Sequence, residues 1–156
     1  MKKLLLFLFI PFISFGQTYE ELMSINSIDM FKKVVIENNY EPYKQDDKIA
    51  FYGFNIVKDS KEDSMSKGFV YFKKQYVFIL NVYKEISFLG VKTPRENTEY
   101  DLIVDKIKNK CTYYKIMEGP SGDDFVTYSC PESSYKGKIG FAINEGWGVI
   151  INFPEE

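Results

Sequence analysis

The sequence predicts an α+β fold built as a tandem duplication of one α-β4 unit, a helix followed by four antiparallel strands, with two helices packed on one face of antiparallel sheet. Three observations carry that expectation. Residues 27–44 (SIDMFKKVVIENNYEPYK) and 98–115 (TEYDLIVDKIKNKCTYYK) each open on a hydroxyl residue, run through an apolar stripe and end in Tyr-Lys. Residues 67–83 and 136–153 each begin Lys-Gly and read as strand, turn, strand. Two further strand-like runs separate helix from hairpin in each half.

Taken in chain order, residues 1–16 (MKKLLLFLFIPFISFG) have the layout of a secretory signal peptide. Lys2 and Lys3 supply the positive end, an apolar run follows, and Ser14 and Gly16 are the small residues that precede a cut before Gln17. The run is short of the roughly 20 apolar residues a bilayer span needs. The remaining 17–156 reads as a single globular domain with half-repeats at about 24–83 and 98–156 and a linker at 84–97.

The first helix is expected to start from Ser27 as N-cap and to bury Ile28, Phe31 and Val35. The second starts from Thr98 and buries Tyr100, Ile103 and Ile107. Residues 40–45 turn at Asp46-Asp47 into 49–56, and residues 111–118 turn at 119–122 (GPSG) into 125–130. The closing hairpins turn at Lys74-Gln75 and at Asn144-Glu145-Gly146, and Asn81 and Asn152 take matching late positions. Residues 58–66 form a polar loop. In the linker, the apolar patch at 86–91 is an extra strand or a surface loop, and Thr93-Pro94 with Glu96 offers an earlier start for the second helix.

Two cysteines, Cys111 and Cys130, in an exported chain imply a disulfide. If the second-half strands pair symmetrically about Pro120-Ser121, Cys111 faces Cys130, at a separation suited to a cystine. The corresponding first-half positions are Tyr40 and Phe54, so an aromatic pair takes the place of the cystine there. Without Cys-x-x-Cys spacing, the pair reads as a structural staple.

Composition narrows function. There is no histidine, which excludes Ser-His-Asp and Cys-His triads and the commonest metal ligand. After leader removal 18 basic side chains face 22 acidic ones, a balance unsuited to nucleic acid or to a polybasic membrane grip. Asp46-Asp47, Asp59, Glu62-Asp63 and Asp123-Asp124 lack calcium-loop spacing and read as solvated turn acids. No cofactor motif occurs. A small hydrolase would have to draw two carboxylates from Glu37, Glu41, Glu85, Glu118, Glu132 and Glu145, and nothing singles out a pair.

Two α-β4 halves with a hairpin-linked cystine resemble, in architecture alone, the secreted β-lactamase-inhibitory proteins, and architecture by itself carries no function. The expected role is an exported, non-enzymatic binding module, inhibitor-like in design, that holds a protein or peptide partner on an aromatic-bearing sheet face. The candidate binding residues are Trp147 and Asn152 on the last strand and Tyr76, Asn81 and Tyr83 around the strand before it. The alternatives are a small carboxylate or tyrosine hydrolase and a carbohydrate or small-ligand binder using stacked aromatics.

Overall fold

The computed structural model describes residues 17–60, 63–86, 91–94 and 98–155, with backbone alone for 83–86 and 91–94. The signal-like residues 1–16 lie outside the described residues. Among those described, the order is α1 (Tyr19–Ser24), α2 (Ile28–Glu37), β1 (Glu41–Gln45), β2 (Ile49–Phe54), β3 (Lys67–Phe72), β4 (Gln75–Asn81), β5 (Tyr83–Ile86), β6 (Val91–Pro94), α3 (Glu99–Lys110), β7 (Thr112–Glu118), β8 (Asp124–Ser129), β9 (Gly137–Asn144) and β10 (Trp147–Pro154). Eight strands make one antiparallel sheet in the order β1-β2-β3-β4-β10-β9-β8-β7, and β5 and β6 form a separate two-stranded ribbon. Thr93-Pro94 thus ends a strand, and α3 starts from Thr98 with a capping box to Asp101.

The last strand in chain order lies in the middle of the sheet. β10 pairs with β4 in the register Ile150↔Phe78 on one side and with β9 as Ile150↔Phe141 on the other. The outer strands β1 and β7 are the ones whose residues are almost all exposed. Pro42, which has no N–H to give a ladder, is confined to such an edge. Both edge strands also carry a bulge, which leaves Tyr43 and Tyr114 out of register and blunts the edge.

The two predicted helices form where expected. Ser27 Oγ accepts from Met30 N–H, and Thr98 Oγ1 accepts from Asp101 N–H. On α2, Phe31 is fully buried and meets Tyr52 and Phe69 edge-on at 5.8 and 4.9 Å between ring centroids. Burying one such side chain contributes about 1.5–3 kcal/mol. Ile28, expected in the buried stripe, is instead 36% exposed, and Val34 is buried beside Val35. On α3, Tyr100, Ile103, Val104 and Ile107 are buried. The Tyr100 ring fits because β10 carries glycine beneath it: a Cβ on Gly148 would stand 2.5 Å from Tyr100 Cδ2. Tyr100 Oη then donates to the Ala142 carbonyl at 2.9 Å.

The sequence reading had no counterpart for α1. Its six residues are held by a Thr18/Glu21 capping box and by burial of Tyr19, Leu22 and Met23. Tyr76 Oη on β4 donates to the Leu22 carbonyl at 3.0 Å, and Ser134 N–H donates to the Met23 carbonyl at 2.7 Å. All three helices feed one core cluster against the same sheet face.

The hairpin turns differ by one residue from expectation in the first half. The β3–β4 turn is Lys73-Lys74, both with positive φ, and the β9–β10 turn is Glu145-Gly146, also with positive φ at both positions. Two-residue turns of this handedness match strand twist, and lysine tolerates the left-handed region poorly. Asn152 secures the less suitable turn from the neighbouring strand: its Nδ2 donates to the Lys74 carbonyl at 3.2 Å, and its Oδ1 accepts from Tyr76 N–H at 2.5 Å.

The cystine is present between Cys111 and Cys130, with Cα atoms 4.4 Å apart. At its base the register is Thr112↔Ser129 and Tyr113↔Tyr128, as symmetrical pairing requires, and it slips by one beyond Tyr114. The slip occurs at the edge strand rather than at Gly122 in the turn.

Candidate functional site

Strand alternation sends one set of side chains to the helices and the other to the opposite face. On β4 the helix side takes Tyr76, Phe78 and Leu80, all buried, while Val77, Ile79 and Asn81 are half-buried on the opposite side. On β10 the helix side takes Gly148, Ile150 and Asn152, and the opposite side takes Trp147, Val149, Ile151 and Phe153. A second apolar cluster forms on this helix-free face from Phe125, Ile151 and Phe153, with Val77, Met117, Ala142 and Val149 against it.

Next to that cluster lies a cavity of about 480 Å³ lined by Phe51, Met65, Gly68, Ile79 and Trp147, with Asp63 and Ser64 at its polar side. Its origin is local. Gly53 and Gly68 face each other across β2 and β3, so the sheet is bare of side chains at that point. The chain after β2 folds back over the gap: Val57 bridges to Ser64, and Ile56 and Met65 occupy the space a Cβ on Gly53 would need. A Cβ on Gly68 would crowd Phe51 and Ile79 at 3.0 Å, so the glycine lets those two side chains close on each other.

The rim is set by the β1 bulge. Tyr43, displaced from the ladder, packs edge-on against Phe51 at 5.0 Å. The Asp63 carboxylate beside its hydroxyl holds the phenol above its ordinary range. Asp63 is the carboxylate lining the cavity among the described residues. At the far edge the second bulged tyrosine, Tyr114, has Lys115 and Lys138 ammonium groups over its ring at 5.3 and 4.9 Å.

The five candidate binding residues separate. Trp147 is half-buried in the cavity wall, directly after the β9–β10 turn. Asn81 is its cross-strand partner and shares its face. Tyr76 and Asn152 are fully buried on the helix side and spend their polar groups on Leu22 and on the Lys73-Lys74 turn, so neither reaches a surface ligand. The side chain of Tyr83 lies outside the described residues; its backbone pairs with Pro94. Phe51, Ile79 and Met65 were not singled out by sequence, although the Gly53 and Gly68 pair inside two aromatic strands was a usable signal.

The carboxylates considered for hydrolysis do not converge. Glu37 pairs with Lys33 and Glu132 with Lys110, while Glu41, Glu118 and Glu145 lie exposed on edge strands or a turn. Glu85 lies among residues described by backbone alone. Asp46 Oδ1 accepts from Lys48 and Ile49 N–H at 2.7 and 2.9 Å, and Asp123 accepts from Ser121 and Asn144. Those carboxylates close their own turns. Among the described residues no cluster of acids, cysteines or histidines is arranged to hold a metal ion, and no helix is long and apolar enough to cross a membrane.

No protein-family model, curated protein or solved structure matches the chain.

Proposed function

We propose that the chain is an exported binding module, formed by duplication of an α-β4 unit, that holds a protein or peptide segment on the helix-free sheet face. The observation that carries this reading is the apolar cavity between Phe51, Ile79 and Trp147, continuous with the half-buried Val77 and Val149. An aromatic wall, an aliphatic floor and a single carboxylate suit an apolar side chain of a partner and offer no acid–base pair for catalysis.

The register at the sheet centre supports duplication. Phe78 and Ile150 are each the fourth residue after a two-residue turn, and they pair with each other. Gly68 and Gly140 each precede their turn by five residues. A pseudo-two-fold axis between Phe78 and Ile150 relates the halves, and doubling the unit doubles the width of the binding face. Export is supported by the leader-like residues 1–16 and by the cystine.

The test is Trp147→Ala against Tyr113→Ala, the latter an exposed ring on the other face. Peptides selected from a random display library on the wild-type protein serve as ligands. Trp147→Ala is expected to weaken them by about 2 kcal/mol or more. Its stability cost is expected to stay below the roughly 3–5 kcal/mol of a fully buried ring. Unchanged binding by Trp147→Ala, or an equal loss in Tyr113→Ala, overturns the assignment.

A further inference from the structure

Gln17 is where a leader cut would leave the amino terminus, and in the uncut chain it is 3% exposed. Its backbone N–H donates to Glu99 Oε1 at the start of α3, and the other Glu99 oxygen takes the Lys67 ammonium from β3. Both side chains of that ion pair are largely covered, at 17% and 14% exposure. The Gln17 amide reaches Glu21, whose carboxylate also accepts from Thr18 N–H at 2.8 Å and from Asn38 Nδ2 at 2.9 Å.

The charges in this cluster do not balance. Among the described residues two carboxylates, Glu99 and Glu21, share one cation, Lys67, and no ammonium bonds to Glu21. Burial pushes the Glu99 carboxyl up despite the opposing pull of Lys67. Gln17 Oε1 is a buried acceptor with no hydrogen-bond donor. A peptide N–H at Gln17 supplies one hydrogen and no charge. A freed amino terminus at the same atom supplies three hydrogens and one positive charge.

Building on the export reading above, we propose that the α-ammonium group created at Gln17 by leader removal docks on Glu99, as the second cation of a half-buried cluster with Lys67, Glu99 and Glu21. Processing then balances the cluster and fixes α1 against α3 and β3. The amino terminus acts as a structural ligand whose position is set by the cut itself: an extra residue ahead of Gln17 removes the charge from the site, and a missing one removes the atom.

The experiment compares a chain beginning at Gln17, which contains every described element, with one carrying Gly-Ser ahead of Gln17, each with Glu99 intact and as Glu99→Gln. The first readout is acylation of the α-amine in the native state, located by peptide mass. The Gln17 amine is expected to react at least about tenfold more slowly than the extended terminus, because it must first open to solvent. The second is thermal stability: the extension is expected to lower Tm by about 5 °C, and the Glu99→Gln pair to show no difference between the two termini. Equal acylation overturns the proposal, as does an extension penalty that survives Glu99→Gln. So does recovery of Gln17 as its lactam, formed when the α-nitrogen attacks the side-chain Cδ and ammonia leaves. If Glu99→Gln does not fold, the acylation rates of the two Glu99 proteins decide alone. The terminal mass of the exported protein tests the export reading separately: a cut elsewhere sinks that reading and leaves the acylation result standing.

Discussion

The two helix-to-strand junctions solve one geometric problem with different chemistry. Where α2 gives way to β1, Tyr40 packs on Phe54 across the hairpin, ring centroids 5.7 Å apart. Where α3 gives way to β7, Cys111 is bonded to Cys130. In each case the pair sits one step beyond the first ladder partners, Glu41↔Gly53 and Thr112↔Ser129, and each edge strand then bulges at a tyrosine. The ring pair stabilises the folded state by burial, since Tyr40 is only 5% exposed and also meets Phe69. The cystine acts chiefly by restricting the unfolded chain. The first junction is therefore indifferent to redox conditions, and the second depends on them.

The sharpest test of that contrast is the largest in effect. Tyr40→Ala empties a core site and should cost about 3–5 kcal/mol in denaturant unfolding, equally in reducing and oxidising buffer. Replacing both Cys111 and Cys130 by Ala should cost about 3 kcal/mol, and reduction of the wild-type protein should reproduce that loss. A Tyr40→Ala cost that changes with redox conditions would break the comparison.

A titration addresses both halves at once. Burial, reinforced by Glu132, pushes the Tyr19 phenol up to about 12 from 10.0. Burial also raises Tyr40 and Tyr76 in the first half and Tyr100 and Tyr135 in the second. Below about pH 10 these phenols keep their protons in both states and stability is unaffected. Above it the unfolded chain ionises first, so stability falls as pH rises through the raised values. Phenolate absorbance of the buried rings and loss of tertiary signal should rise together in one step; separate steps would mean that the halves come apart independently.

The smallest effect is the most specific. The Tyr40 hydroxyl is buried without a hydrogen-bond partner, so Tyr40→Phe keeps the ring contact and removes an unsatisfied group. It should raise stability by up to about 1 kcal/mol, read as a higher melting temperature.

Much of the fold was legible because the signals were local. Capping residues marked the starts of α2 and α3, and symmetrical pairing about Pro120-Ser121 placed the cystine despite a bulge. The one-residue error at the β3–β4 turn arose because two lysines carry no turn signature, and the stabilising partner, Asn152, comes from a distant strand. α1 escaped notice although Thr18-x-x-Glu21 spells a capping box, because six residues are too few for a helical period to show. The site was half legible for a matter of parity. Alternation divides β4 into two faces without saying which the helices take, and Tyr76 belongs inside because α1 supplies its partner. Asn81 and Asn152 look equivalent in sequence, yet Asn81 lies opposite Trp147 while Asn152 stands one residue past the Ile151↔Val77 pair, and one residue reverses the face.

The central position of β10 governs how the chain must assemble. A polypeptide delivered amino end first can complete β1 to β4 early, and the outer edge of β4 then waits, unpaired and apolar, until residues 147–154 arrive. During that interval the half-made sheet is a template for any passing strand. β10 is the strand that joins β4 to β9. Loss of residues 147–154 would thus split the sheet down its middle instead of fraying its rim.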